Sequence, residues 1–186
     1  VDIDEQRARE VAEEIPGGLS WHGDVTKRSE VVRLAADASQ QLGRINGFVD
    51  IIGMAQWKSI LEIDDEIWDW EFDICLRHAY LCSQELGKLM VASGGGTMVF
   101  ISSISGLSAA PMHAAYGAAK AAMVGLMNVL HHEGVRDDIR VNTLAPSAAT
   151  RMTHNLVPET ALDLLAPEKI TPGLLYLVSE DSPTKT

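Results

Sequence analysis

Short apolar runs alternate along this chain with longer stretches in which apolar residues return every three or four positions. Glu5 to Ile15 carries Ala8, Val11, Ala12 and Ile15 at helical spacing, and Pro16-Gly17-Gly18 ends it. Leu19 to His22 reads as a short strand. Thr26 or Ser29 is placed to cap the next helix, whose apolar face is Val31, Leu34, Ala35, Ala38 and Leu42, with Gly43 as its stop. Gly47 to Ile52 predicts a strand, and Asp64 to about Val91 a long helix. A Gly94-Gly95-Gly96 turn precedes the buried strand Thr97 to Ser102, rich in β-branched and aromatic residues. An Ala-rich helix follows, then a second buried strand from Ile139 that Pro146 stops. Glu168 to Ser179, with Ile170, Leu174, Leu175 and Val178, predicts a last helix. Strands alternating with crossover helices specify an α/β fold built on a doubly wound parallel sheet, which binds ligands at the carboxyl ends of its strands. No repeat, linker or composition shift divides residues 1–186, so a single domain is expected.

Composition narrows the classes of function. Apolar residues make up 46% of the chain and mean hydropathy is +0.04, values of a globular protein with a real core. A formal charge of −11 argues against nucleic acid and against an anionic membrane surface as partners. Met98 to Leu130 is the least charged stretch, but Lys120, His113 and Pro111 interrupt it, so it reads as core and not as a membrane span. Cys75 and Cys82 read as buried thiols in a reducing, cytoplasmic compartment. No group of His, Cys and acidic residues has metal-ligand spacing.

Candidate chemistry concentrates around Tyr116-Gly-Ala-Ala-Lys120. Residues four apart share a helix face, and an ammonium there is expected to lower the Tyr116 pKa from its usual value near 10. A tyrosine tuned in this way can exchange a proton with an alcohol oxygen, and Ser103, thirteen residues upstream, can hold that oxygen. Alone, Y-x-x-x-K is a weak signal. Its context is a strand ending at Ser103, the Tyr116 helix, and the strand end Arg140-Val141-Asn142-Thr143-Leu144-Ala145-Pro146. On these residues the chain resembles the short-chain dehydrogenase/reductase family over almost its whole length.

The resemblance implies a Rossmann-like, three-layer α/β/α domain acting as an NAD(P)-dependent oxidoreductase on a small-molecule secondary alcohol or ketone. Tyr116 is the implied general acid/base, Ser103 positions the oxygen, and Lys120 also contacts the nicotinamide ribose. The fourth catalytic position, usually Asn, is Cys75 here. A buried structural thiol is the simpler account of it, since a thiol is only a weak donor. For the cofactor, Asp2 matches the acidic residue on the adenosine ribose, which favours NAD over NADP. Asp24 and Val25 match an adenine-edge contact, and Asp24 reads equally well as a turn residue. Gly53, Pro146 and Thr150 match cofactor-side positions, Thr150 also reading as a helix N-cap.

Asp50-Ile51-Ile52 stands where the family has Asn-Asn-Ala, so the usual hydrogen bonds cannot all be carried over. His78 and His113 read as satisfied histidines or as borders of the substrate opening, and Trp57, Trp68 and Trp70 as its wall or as packing. A homodimer or homotetramer is implied through the long helix and the Met123, Leu126, Met127, Leu130 face.

The family also has a first strand with a Gly-rich turn, a last strand, and a longer cover over the substrate than residues 152–168 supply. Residues Val1-Asp2-Ile3-Asp4 read as the end of the second strand. The first strand lies mid-sheet in the family, and without it buried backbone groups go unpaired at about 1–3 kcal/mol each. The working protein is therefore expected to contain that strand. A catalytically silent member that keeps the fold as a binding or assembly module is the alternative.

Overall fold

The runs richest in β-branched and aromatic residues form the sheet. A computed structural model describes residues 1–150, 152–153 and 158–186. Its helices in chain order are α1 (Glu5–Glu14), α2 (Arg28–Leu42), α3 (Asp65–Phe72), α4 (His78–Ala92), α5 (Ile104–Leu107), α6 (Ala114–Gly134), α7 (Glu159–Leu162) and α8 (Thr171–Val178). The strands β1 (Gly47–Asp50), β2 (Gly96–Ile101) and β3 (Ile139–Leu144) pair in parallel in the order β1-β2-β3. Val99 stands opposite Val49 on one side and Asn142 on the other. Asp2 and His22 form an isolated parallel bridge outside this sheet. Along the outer edge of β3, Lys185 N–H donates to the Val141 carbonyl, and Thr143 N–H to that of Thr186.

Side chains alternate across the strands and so divide the core. Met98, Phe100, Ile139 and Val141 pack with Ala79 and Met90 of α4 and with Met123 and Met127 of α6. A second cluster joins Val31, Leu34 and Ala35 of α2 to Leu81, Cys82 and Leu86 of α4. From the opposite face of β3, Arg140 donates to the Glu180 carbonyl just after α8, and a methyl of Leu144 reaches Gly173 within α8. Helices thus cover both faces, giving the three-layer, Rossmann-like α/β fold.

Several local expectations change. Leu19–His22 contributes only the His22 bridge. The long helix is broken by one π-helical turn, Asp73–Arg77, and the last is a 3₁₀ turn, Pro167–Lys169, leading into α8. Neither Thr26 nor Ser29 caps α2, which follows Lys27; the Asp24 carboxylate accepts from the Thr26 N–H and hydroxyl instead. Gly43 does end α2, at φ +71°, a conformation that favours glycine. Met123 and Met127 are buried against the sheet, so they cannot form an outer face. The outward residues Leu126, Val129 and Leu130 instead border a groove of about 340 Å³ between α4 and α6. The segment expected to cover the substrate lies partly outside the described residues. Among the described residues no helix is long and apolar enough to cross a membrane.

Candidate active site

The site forms where β1 and β2 end. Ser103 follows β2 and caps α5, its hydroxyl accepting the Ser105 N–H at 3.1 Å. From α6, Tyr116 and Lys120 point inward to the same place; Lys120 is 3% exposed. Its Nζ donates to the Ile101 carbonyl at 2.7 Å and, more weakly, to the Ile52 carbonyl at 3.4 Å. Ile101 ends β2 and Ile52 follows β1 by two residues, so the ammonium ties the sheet's carboxyl edge to α6. An ammonium has three N–H donors, which leaves one for a ligand. Gly53 passes so close that an added Cβ would lie 2.9 Å from Nζ.

The electrostatics differ from the sequence expectation. Burial pushes the Tyr116 phenol above its usual value, and the neighbouring Ser103 hydroxyl, which favours the phenolate, only partly offsets this. The expected lowering by Lys120 is absent. Its Nζ is 5.9 Å from the Tyr116 ring centroid and is held by carbonyls. Burial likewise lowers the Lys120 pKa, against the opposing influence of Cys75 and Asp50.

Cys75 sits in the π-helical turn, fully buried, and its Sγ donates to the Met54 carbonyl at 3.2 Å. Burial raises its pKa, so it remains a thiol, packed about Gly53 with Lys120. Glu71, also buried, accepts the Gln56 N–H. On the open side, the Trp57 and His113 rings meet at a tilt of 43° with centroids 4.0 Å apart, and the His113 ring meets the Tyr116 ring edge-on at 5.2 Å. His113 Nδ1 pairs with Ser105 Oγ at 2.9 Å. Trp68 stacks on Phe72.

The other sequence candidates stand in two further groups. Pro146 joins the site, its carbonyl accepting the Ile104 N–H at 3.3 Å. Thr150 closes a turn with Thr153 and caps none of the described helices. At the N-terminal end, one Asp2 oxygen accepts the Asp4 N–H at 2.9 Å. The Asp24 carboxylate is engaged by Thr26 and Lys27, its pKa lowered chiefly by the Thr26 hydroxyl. Val25 is buried in the α2–α4 cluster. Asp2, Asp24 and Val25 make none of these contacts with the Tyr116 group.

His78 is a partnered helix histidine, as one of its two sequence readings had it, and does not border an opening: its Nε2 pairs with Asp50 Oδ1 at 2.8 Å in the interior. Sequence reasoning missed that partner and one further residue. Glu71, one turn before Cys75, also went unnoticed. A carboxylate among the aromatic residues 68–72 was the available signal for it.

Three comparisons bear on the whole arrangement. The family model described as short chain dehydrogenase matches residues 1–161. The chain is 34% identical over 148 residues to the peroxisomal multifunctional enzyme type 2 of Mus musculus, covering 80% of this chain and 20% of that protein. It is 30% identical over 173 residues to an NAD-dependent glycerol dehydrogenase of Listeria innocua, covering 87% of this chain and 68% of that one. The chain thus spans about a fifth of the mouse relative's length and about two thirds of the bacterial one's. Among solved structures, a short-chain dehydrogenase/reductase from Burkholderia xenovorans superposes with a TM-score of 0.82 at 25% identity, over 89% of this chain and 70% of that one.

Proposed function

The chain belongs to the short-chain dehydrogenase/reductase family of oxidoreductases, and we propose that it is an NAD-dependent enzyme acting on a secondary alcohol or the corresponding ketone. The observation that carries this reading is the convergence of Ser103, Tyr116 and Lys120 at the carboxyl ends of β1 and β2, with one ammonium N–H left over.

A nicotinamide coenzyme, when bound, supplies the hydride acceptor or donor. The residues here fit such a group in two respects. The spare N–H of Lys120 suits a ribose hydroxyl, and close passage of Gly53 leaves the backbone bare beside it. Asp2 keeps one carboxylate oxygen for the adenosine ribose, where its charge disfavours a 2′-phosphate. Pro146 and Thr150 border the nicotinamide end. The name of the bacterial relative carries both NAD and an alcohol substrate, which supports the same assignment.

Tyr116 holds the proton that the substrate oxygen gains or gives up, and its raised pKa keeps it a neutral acid in the free chain. Ser103 orients that oxygen. Lys120 keeps a positive charge beside it, and Cys75 packs the floor without reacting. Association of copies through the α4–α6 face, and a cytoplasmic setting, complete the reading.

One observation favours a silent binding module instead: burial raises Tyr116, opposite to what an activated tyrosine requires. The test is binding of NADH and NADPH to the full chain by fluorescence, followed by turnover with a panel of secondary alcohols and ketones. NADH binding with turnover is the expected result; binding without any turnover selects the silent module.

A further inference from the structure

Asp50 closes β1, His78 opens α4, and their side chains meet in the interior. His78 Nε2 and Asp50 Oδ1 pair at 2.8 Å, the nitrogen donating wherever the aspartate is ionised, with both side chains 1% exposed. Asp50 Oδ2 and His78 Nδ1 are buried without a partner among the described residues. Such a couple does little for stability, because two desolvated groups with an unpaired oxygen and nitrogen compete poorly with apolar packing. Its connections point to another role. The same Oδ1 accepts the Ile52 N–H at 3.1 Å, and the Ile52 carbonyl accepts Lys120 Nζ at 3.4 Å. An ordered line therefore runs from the His78 ring through the Asp50 carboxylate and the Ile52 peptide to the ammonium. At Gly53, the next residue, an added Cβ would lie 2.9 Å from Nζ, so a methyl group there would force the ammonium to shift.

We propose that Asp50 and His78 are positioning residues for Lys120. His78 orients the carboxylate, the carboxylate holds the Ile52 peptide, and together they place an anionic charge behind the ammonium. The proposal rests on the role given to Lys120 above.

The groups facing Lys120 come from three elements: Asp50 from β1, Cys75 from the π-helical turn, and Tyr116 one turn earlier on α6. Glu71 acts on Cys75 and Tyr116 from α3. Burial keeps the thiol and the phenol protonated, which leaves Asp50 as the carboxylate that favours the charged lysine. Asp50 therefore sustains the ammonium against the burial that would strip its proton.

The test is an NMR titration of the full chain labelled with [13Cε]lysine, the Lys120 signal being assigned by its loss in Lys120→Met. Asp50→Asn is expected to lower the Lys120 midpoint by about half a pH unit or more. His78→Leu should lower it likewise, because the carboxylate is then unpartnered. His78→Gln, which keeps an N–H donor, should stay near wild type. An unchanged midpoint in Asp50→Asn and His78→Leu overturns the proposal. So does failure of all three variants to fold by circular dichroism, since the couple would then be a fold-stabilising pair. This readout is independent of turnover: the shift in a chain that oxidises no alcohol would refute the enzyme reading and leave the couple standing.

Discussion

Gly53→Ala adds one methyl group where the structure has least room. The new Cβ would lie 2.9 Å from Lys120 Nζ, 3.2 Å from its Cε and 3.5 Å from Cys75 Sγ. The far end of a lysine usually yields, but this one is anchored at 2.7 Å by the Ile101 carbonyl and is 3% exposed. Movement by a few tenths of an ångström breaks the 3.4 Å contact with Ile52 first. Losing one hydrogen bond to a charged group costs about 1.5–3 kcal/mol. The Gly→Ala change returns about 0.4–1 kcal/mol by restricting the unfolded chain. A net loss of roughly 0.5–2.5 kcal/mol remains, which lowers Tm by about 1–10 °C in a chain of this size. Under the coenzyme role proposed for Lys120, turnover should fall more steeply than stability, by about tenfold or more, because the ammonium is displaced. Differential scanning calorimetry and steady-state kinetics on the same preparation check both values. A variant with wild-type Tm and wild-type kcat would refute the close packing of Gly53 on Lys120.

Four further outcomes are expected. Asp4→Ala removes the carboxylate that accepts the Gln6 and Arg7 N–H groups of α1; thermal melts should show a loss of about 1 kcal/mol with turnover unchanged. Asp2→Ala should narrow the NADH-over-NADPH preference in binding titrations, and an unchanged ratio would make Asp2 structural. Tyr116 has a folded pKa raised above its ordinary 10, so its stabilising contribution is complete below pH 10 and lost as pH rises beyond it. Relative to Tyr116→Phe, wild-type stability should therefore decline in denaturant melts above pH 10. Lys120 has a folded pKa lowered from 10.5, so its contribution is complete above 10.5 and lost as pH falls through the lowered value. Relative to Lys120→Met, the wild type should gain stability across that alkaline window.

Legibility in the sequence followed the range of the interactions. β2 and β3 could be read because their β-branched and aromatic runs act locally, and Gly43 because a positive φ favours glycine. Ser103 and the Tyr116–Lys120 pair could be read because strand end and helix periodicity fix their direction. The α2 cap was misplaced because Asp24 satisfies Thr26 from two residues back. The π-helical turn at Asp73–Arg77 has no mark in the residues themselves. Tyr116 was misjudged because helical spacing gives proximity and says nothing of burial, and burial dominates its pKa. The Asp50–His78 couple was out of reach, since its partners lie 28 residues apart and meet only when β1 packs beside α4.

The most direct test of the account compares wild type with Tyr116→Phe in coenzyme-dependent turnover of an accepted alcohol or ketone, with NADH affinity measured alongside. The expected result is a loss of about 10²-fold or more in kcat with affinity nearly unchanged. Equal turnover in the two proteins would contradict it.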